Sequence, residues 1–224
     1  GIENNGVIKK LRGEKGTDVK IQIKRRGLNR LIGFTITRNT IPINSIDVAM
    51  MITPTVGFIK LNRFSAKTIS EFRKETAKLL NQGMQELIFD LRDNPGGYLS
   101  AAASICDDLL EKNSLIVYTK GRNRDRNEII SSGKSRLEKI KLVILINEGS
   151  ASASEIIAGA IQDNDRGILV GRRSFGKGLV QEEIKLSDGS AIRLTTQRYY
   201  TPSGRSIQKD YEKAIAVISA IDKR

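Results

Sequence analysis

Apolar and polar residues alternate twice near the start of this 224-residue chain. Val19, Ile21 and Ile23 are interleaved with polar positions, and so are Ile32, Phe34 and Ile36 beyond Gly27-Leu28-Asn29. A period of two marks half-buried strands, and the glycine turn between them predicts a β-hairpin. Residues 6–11 read as the end of a helix, and residues 12–17 as a glycine-punctuated turn. Residues 40–55, with Pro42 and Pro54, read as a connector. The domain boundary is placed there, separating residues 1–43 from residues 44–224.

Beyond the connector the pattern changes to strands alternating with helices, which predicts an α/β fold. Residues 56–61 form a strand. Thr68-Ile69-Ser70-Glu71 has the spacing of a capping box and opens a helix with Ile69, Phe72, Leu79 and Leu80 on one face, stopped by Gly83. Residues 86–91 (ELIFDL) and 142–146 (LVILI) are nearly continuous apolar runs, as strands buried on both faces should be. The first empties into Arg92-Asp93-Asn94-Pro95-Gly96-Gly97 and a helix over 99–110. The second empties into Asn147-Glu148-Gly149-Ser150-Ala151-Ser152-Ala153-Ser154 and a helix through Ile161. Residues 115–118 form a further strand, the basic segment 120–139 a surface loop or hairpin, and 168–171 a short strand. A hairpin turning about Ser187-Asp188-Gly189 and a helix from about Lys209 complete the chain.

Composition narrows the chemistry. There is no histidine, which excludes Ser-His-Asp and Cys-His hydrolases and His-ligated zinc, since each needs an imidazole. The single cysteine, Cys106, excludes an intrachain disulfide and falls on an apolar helix face as a small hydrophobe. No apolar run approaches the ~18 residues of a membrane span. The net charge of +13 suggests nucleic acid. Its sources are ten Lys or Arg against three acids over 1–45, and a cluster of Lys120, Arg122, Arg124, Arg126, Lys134, Arg136, Lys139 and Lys141. Neither region has interleaved aromatics, so a solvated basic surface is the preferred reading and no nucleic-acid partner is expected.

Loops at the carboxyl ends of buried strands are where α/β proteins place their sites, because the N–H groups of the following helix are free to hold an anion. The turn with Ser150, Ser152 and Ser154 could present a nucleophile, or its serines could simply cap the helix. Without histidine a nucleophilic serine needs another base, and Ser-Lys dyads are one solution. Lys177, bracketed by Phe175-Gly176 and Gly178, is a candidate base. It could equally be a surface lysine.

Four segments, DLRDNPGG (90–97), NEGSASASEI (147–156), GRRSFGKGLVQ (171–181) and YYTPSGRSIQ (199–208), resemble the C-terminal processing peptidases, or tail-specific proteases, and occur in that family's order. The resemblance implies a Clp-protease/crotonase-like α/β core and a serine endopeptidase that cuts proteins near their C-terminal tails. It places the nucleophile on Ser152, the general base on Lys177, and a lysine-orienting glutamine on Gln181. It places the oxyanion hole on the backbone N–H groups of Gly97 and Ala153, and matches Asp163 to a family aspartate whose role is structural support as readily as catalysis. It implies no cofactor and no metal, a protein or peptide substrate, a periplasmic or cell-envelope location, and allows a homodimer.

Residues 1–43 resemble the closing helix-turn and last strands of the PDZ domain that precedes this core in the family. The carboxylate-capturing loop of such a domain would lie before Gly1, so the chain reads as part of a longer protein that by itself would not grip a C-terminus. Three rivals remain at this point: a catalytically silent binding module of the same fold, a crotonase-like acyl-CoA enzyme, and a nucleic-acid protein.

Overall fold

In the computed structural model, β1 (Asp18–Ile23) and β2 (Ile32–Thr37) pair antiparallel, with Val19 opposite Ile36 and Ile21 opposite Phe34. Helix α1 (Asn4–Leu11) precedes them. The Arg38 guanidinium ties the helix end to the hairpin: its Nε donates to the Leu11 carbonyl (2.8 Å) and an Nη to Thr17 Oγ1 (2.8 Å). These elements lie in the first of two compact units, Gly1–Ile43 and Asn44–Arg224. Residues 3–40, 44–133 and 137–210 are described. The first unit is too small to bury its own apolar side chains, and Ile8, Leu11, Phe34 and Ile36 are all exposed.

The second unit is built on a five-stranded sheet in the order β3-β4-β5-β8-β9. Here β4 (Val56–Leu61), β5 (Glu86–Asp90), β8 (Lys141–Ile146) and β9 (Ile168–Gly171) are parallel, and β3 (Ile46–Met51) is an antiparallel edge. Strand β3 corrects the connector expected over 40–55. Pro54 lies beyond the paired stretch and bounds the strand without breaking it. Ile46, Ala49 and Met51 pack on the core, while Val48 and Met50 stay exposed.

Helix α2 (Thr68–Asn81) buries Phe72 and Leu79, and the Phe72 ring lies 5.3 Å from that of Phe89 on β5. Its start departs from the capping box. Lys67 is the N-cap, and Thr68 Oγ1 turns to the Ser65 N–H (2.7 Å) and the Ser45 hydroxyl (2.6 Å). The Glu71 Oε2 accepts the N–H groups of Ser45 (2.7 Å) and Ile46 (3.3 Å) at the entry to β3.

A second, antiparallel sheet has the order β10-β11-β6-β7, from β6 (Leu115–Lys120), β7 (Asn127–Ile130), β10 (Leu179–Lys185) and β11 (Ala191–Tyr200). The basic segment 120–139 is thus partly a hairpin arm. Two of its arginines are used locally: Arg126 stacks over the Tyr118 ring (3.8 Å) and pairs with Glu128, and Arg124 pairs with Glu182. Helix α3 (Leu99–Leu109) buries Cys106 completely, and burial pushes its thiol pKa well up, so it behaves as a hydrophobe.

Helix α4 (Ala153–Asp163) packs against α3, β6 and β9. It is apolar on nearly every face, with Ile156, Ile157, Ala160 and Ile161 buried, as suits a helix enclosed by other elements. The helix expected from Lys209 falls mainly outside the described residues.

Candidate active site

The parallel strands β5 and β8 end side by side, and each spills into a turn that starts a helix. Asn94, fully buried in the first turn, locks the two turns together. Its carbonyl accepts the Ala151 N–H (3.0 Å) and the Ser154 hydroxyl (3.0 Å) of the second turn. Its side chain donates to the Leu61 carbonyl (2.8 Å) and accepts the Gly96 N–H (2.9 Å). Asn147 makes the reciprocal link, taking the N–H groups of Asp93 (2.9 Å) and Gly149 (3.0 Å). The Ser150 hydroxyl donates to the Leu91 carbonyl (2.8 Å).

Within this frame Ser152 is the N-cap of α4, at φ 53° and ψ −111°. A serine held there on a sharp strand-to-helix turn is strained, and such strain persists only where the surroundings over-determine it. The first helical N–H, that of Ala153, has no hydrogen-bond partner among the described residues, and neither has that of Gly97. Gly97 bridges Phe64 through its neighbours, with Phe64 N–H donating to Gly96 O (3.0 Å) and Tyr98 N–H to Phe64 O (3.0 Å). Gly96, at φ 97°, approaches the serine turn so closely that a Cβ on it would lie 2.8 Å from Ser152 Cβ and 3.0 Å from Ala153 N. Two unpaired N–H groups in adjoining turns beside a hydroxyl can hold a negatively charged oxygen bonded to the carbon which that hydroxyl attacks.

The loop after β9 brings Lys177 to the same place by its backbone. Glu155, 5% exposed, accepts the Ser152 N–H on Oε2 (2.8 Å), the Lys177 N–H on the same oxygen (2.8 Å) and the Gly176 N–H on Oε1 (2.6 Å). The backbone nitrogens of Ser152 and Lys177 therefore lie within two hydrogen-bond lengths of each other. The Lys177 side chain is exposed, and its amine makes no hydrogen bond among the described residues. Gln181 is also exposed, at a bulge in β10, without a bond to Lys177. Structure thus joins Ser152, Ala153 and the glycine loop tightly, but brings Lys177 near Ser152 only through the main chain.

Asp163, at the far end of α4, accepts the Ser203 N–H (3.0 Å) and hydroxyl (2.6 Å) and pairs with Arg205. Burial alone would raise its pKa, but hydrogen bonds from Ser203, Thr201 and Arg205 outweigh this and hold it below the usual carboxylate value. A cavity of about 810 Å³ is lined by Glu155, Gly159, Phe175, Gly176 and Ile207, among others; neither Ser152 nor Lys177 lines it. No cluster of metal-ligating side chains occurs among the described residues.

Residues 55–217 match the model of peptidase family S41. This chain belongs to peptidase family S41. Among its relatives, the "Carboxyl-terminal-processing protease" of a Synechocystis species is 39% identical over 203 residues, covering 89% of this chain and 47% of that protein. The "Carboxy-terminal processing protease CtpB" of Bacillus subtilis is 34% identical over 220 residues, covering 97% and 46%. The solved "Photosystem II D1 C-terminal processing protease" superposes with a TM-score of 0.68 at 30% identity, over 88% of this chain and 54% of that one. The S41 chain therefore spans about half the length of the relatives it matches, and shares the mixed α/β fold of S41 protease structures.

Sequence reasoning missed Asn94 and Glu155 as residues of this S41 site. For Glu155 a signal existed, because Ser152 and Glu155 have the same capping-box spacing that was read at Thr68 and Glu71. For Asn94 none did, since the partners through which it joins the two turns to each other and to β4 are 33 and more residues away in sequence.

Proposed function

We propose that this chain carries the catalytic centre of a serine endopeptidase of the carboxyl-terminal processing type, cutting protein substrates near their C-terminal tails. Ser152 is the nucleophile, Lys177 the general base, and Gln181 orients the lysine amine. The N–H groups of Gly97 and Ala153 form the oxyanion hole. The observation that carries this reading is a strained serine at a helix start, followed by one unpaired N–H group at Ala153 and approached by the adjoining turn that carries another at Gly97. The core is read as Clp-protease/crotonase-like, and Gly1–Ile43 as the closing part of a PDZ domain, supported by its helix, its hairpin and its exposed apolar side chains.

In this mechanism the neutral Lys177 amine takes the Ser152 proton, and the serine oxygen attacks the scissile carbonyl. The two N–H groups hold the developing oxyanion, where losing one donor typically costs about 10²–10³-fold in rate. The lysine then protonates the leaving amine and activates the water that releases the acyl group. The Lys177 main chain is already beside Ser152, and the proton transfer requires its exposed side chain to turn toward the hydroxyl.

The test follows cleavage of an unstructured protein from pH 6 to 10 by this chain and by the full-length protein, alongside Ser152→Ala and Lys177→Ala. Both substitutions should lower the rate by at least about 10³-fold across that range. Cleavage that survives both substitutions would overturn the assignment.

A further inference from the structure

The dyad reading leaves unexplained how a base on an exposed loop stays in register with a nucleophile on a buried helix. Loop 172–178 has no regular structure, and its amides at Arg173 and Ser174 have no partner among the described residues. At one end Arg172 pairs with Glu148, and at the other Lys209 N–H donates to Gly176 O (2.9 Å) and Tyr199 N–H to Gly178 O (2.8 Å). Between them Phe175 N–H donates to Ser150 O (3.0 Å), and the next two amides, of Gly176 and Lys177, both end on Glu155, the one anchor among these that also holds the Ser152 amide.

We infer that Glu155 is a positioning residue whose buried carboxylate clamps the nucleophile turn to the base loop. The inference rests on the dyad reading above and extends it. Its physical basis is the division of labour between the two oxygens. Oε2 is shared by the Ser152 and Lys177 amides, so any shift of one main chain relative to the other strains a common acceptor. Oε1 is occupied by Gly176 and stops the carboxylate from rotating away. Hydrogen bonds to a carboxylate are about twice as strong as neutral ones, and the residue that accepts them here is buried. Glu155 itself sits on the first turn of α4, which is buried from Ala153 to Ile161, so the clamp is attached to an element held by its packing. Gly176 fits the design, since its φ of 91° turns the loop so that two consecutive amides point to the two oxygens of one carboxylate.

The clamp demands two acceptors in one side chain. Glutamine has the same shape but one acceptor oxygen and an NH₂ that would face an N–H group, and aspartate is a methylene too short to span both loops. Glu155→Gln and Glu155→Asp should therefore lower kcat about 100-fold, the usual scale for a displacement of about 1 Å. KM should stay within about threefold, because the substrate is not touched. Wild-type kcat in Glu155→Gln, with Ser152→Ala inactive, overturns the clamp and leaves the dyad standing. Activity in Ser152→Ala removes the dyad itself.

Amide exchange followed by NMR reads the clamp without any substrate. In the wild-type protein the Gly176 and Lys177 amides should exchange at least about 10-fold more slowly than those of Arg173 and Ser174, and Glu155→Gln should lose that protection at one oxygen's partners while α4 keeps its own. Equal exchange across 173–177 in the wild type overturns the inference. Should the variants fail to fold, the wild-type amides decide alone, protected for the clamp and unprotected against it.

Discussion

Two helices of this protein begin with one local pattern, a hydroxyl residue followed three positions later by glutamate. At α2 it is Thr68-Ile69-Ser70-Glu71, and at α4 it is Ser152-Ala153-Ser154-Glu155. In α2 the glutamate ignores the helix that carries it and holds the entry to strand β3, both bonds ending on Oε2. In α4 the glutamate closes back on its own N-cap and also reaches a loop more than twenty residues downstream, using both oxygens. A carboxylate in the first turn of a helix is thus a free pair of acceptors near unsatisfied amides. Which amides it takes depends on the chain that happens to pass. Around α2 that chain is a structural edge strand, and around α4 it carries the candidate base.

The sharpest way to break the α4 arrangement comes from the opposite side of the serine. Gly96→Ala would place a Cβ 2.7 Å from Ala151 O and 2.8 Å from Ser152 Cβ, at a φ of 97° that alanine resists. The turn must shift, with an expected loss of about 2–4 kcal/mol in stability and most of the activity. Urea unfolding and an active-site acylating probe measure the two effects; a stable, fully reactive Gly96→Ala protein would mean the turn is not so rigid.

The contrast between the two glutamates is sharpened at Glu71. Glu71→Ala should cost about 1–3 kcal/mol by leaving the Ser45 and Ile46 amides without an acceptor. Glu71→Gln should cost less than about 1 kcal/mol, because one oxygen already takes both bonds. Neither should alter kcat. A Glu71→Gln loss as large as that of Glu71→Ala, read from the urea midpoint, would show that the second oxygen matters there too.

The smallest effect belongs to the other end of α4, where Asp163 receives hydroxyl and guanidinium groups. Its folded-state pKa lies below its value in the unfolded chain, about 3.9. The stabilisation is therefore complete above that pH and is lost as the pH falls through the lowered folded value. Asp163→Asn should melt earlier than wild type at neutral pH, and the gap should narrow between about pH 4 and pH 2. A constant gap across that range would show that ionisation of Asp163 contributes nothing.

Much of the framework was legible because it depends on local pattern. The ELIFDL and LVILI runs are too apolar for any place but a doubly covered sheet, and β5 and β8 lie there side by side. The strand-to-turn-to-helix order of 142–161 placed Ser152 at a helix start, where it is. Strand β3 was hidden by its flanking prolines and by burial on one face only. The capping box at Thr68 failed because its hydroxyl is taken by the Ser65 N–H just before it and by the hydroxyl of Ser45, distant in sequence.

By itself the sequence excluded imidazole chemistry, set the order of strands and helices, and singled out a serine turn and a glycine-bracketed lysine. Residue inventory and hydrophobic period are properties of the chain alone. Only the tertiary structure decided which carboxylate holds which amides, that Asn94 fastens one strand-end turn to the other, and that Lys177 meets Ser152 through its main chain while its side chain stays exposed. The physical reason is that a hydrogen bond between residues tens of positions apart forms where folding brings donor and acceptor together, and no local pattern records that meeting.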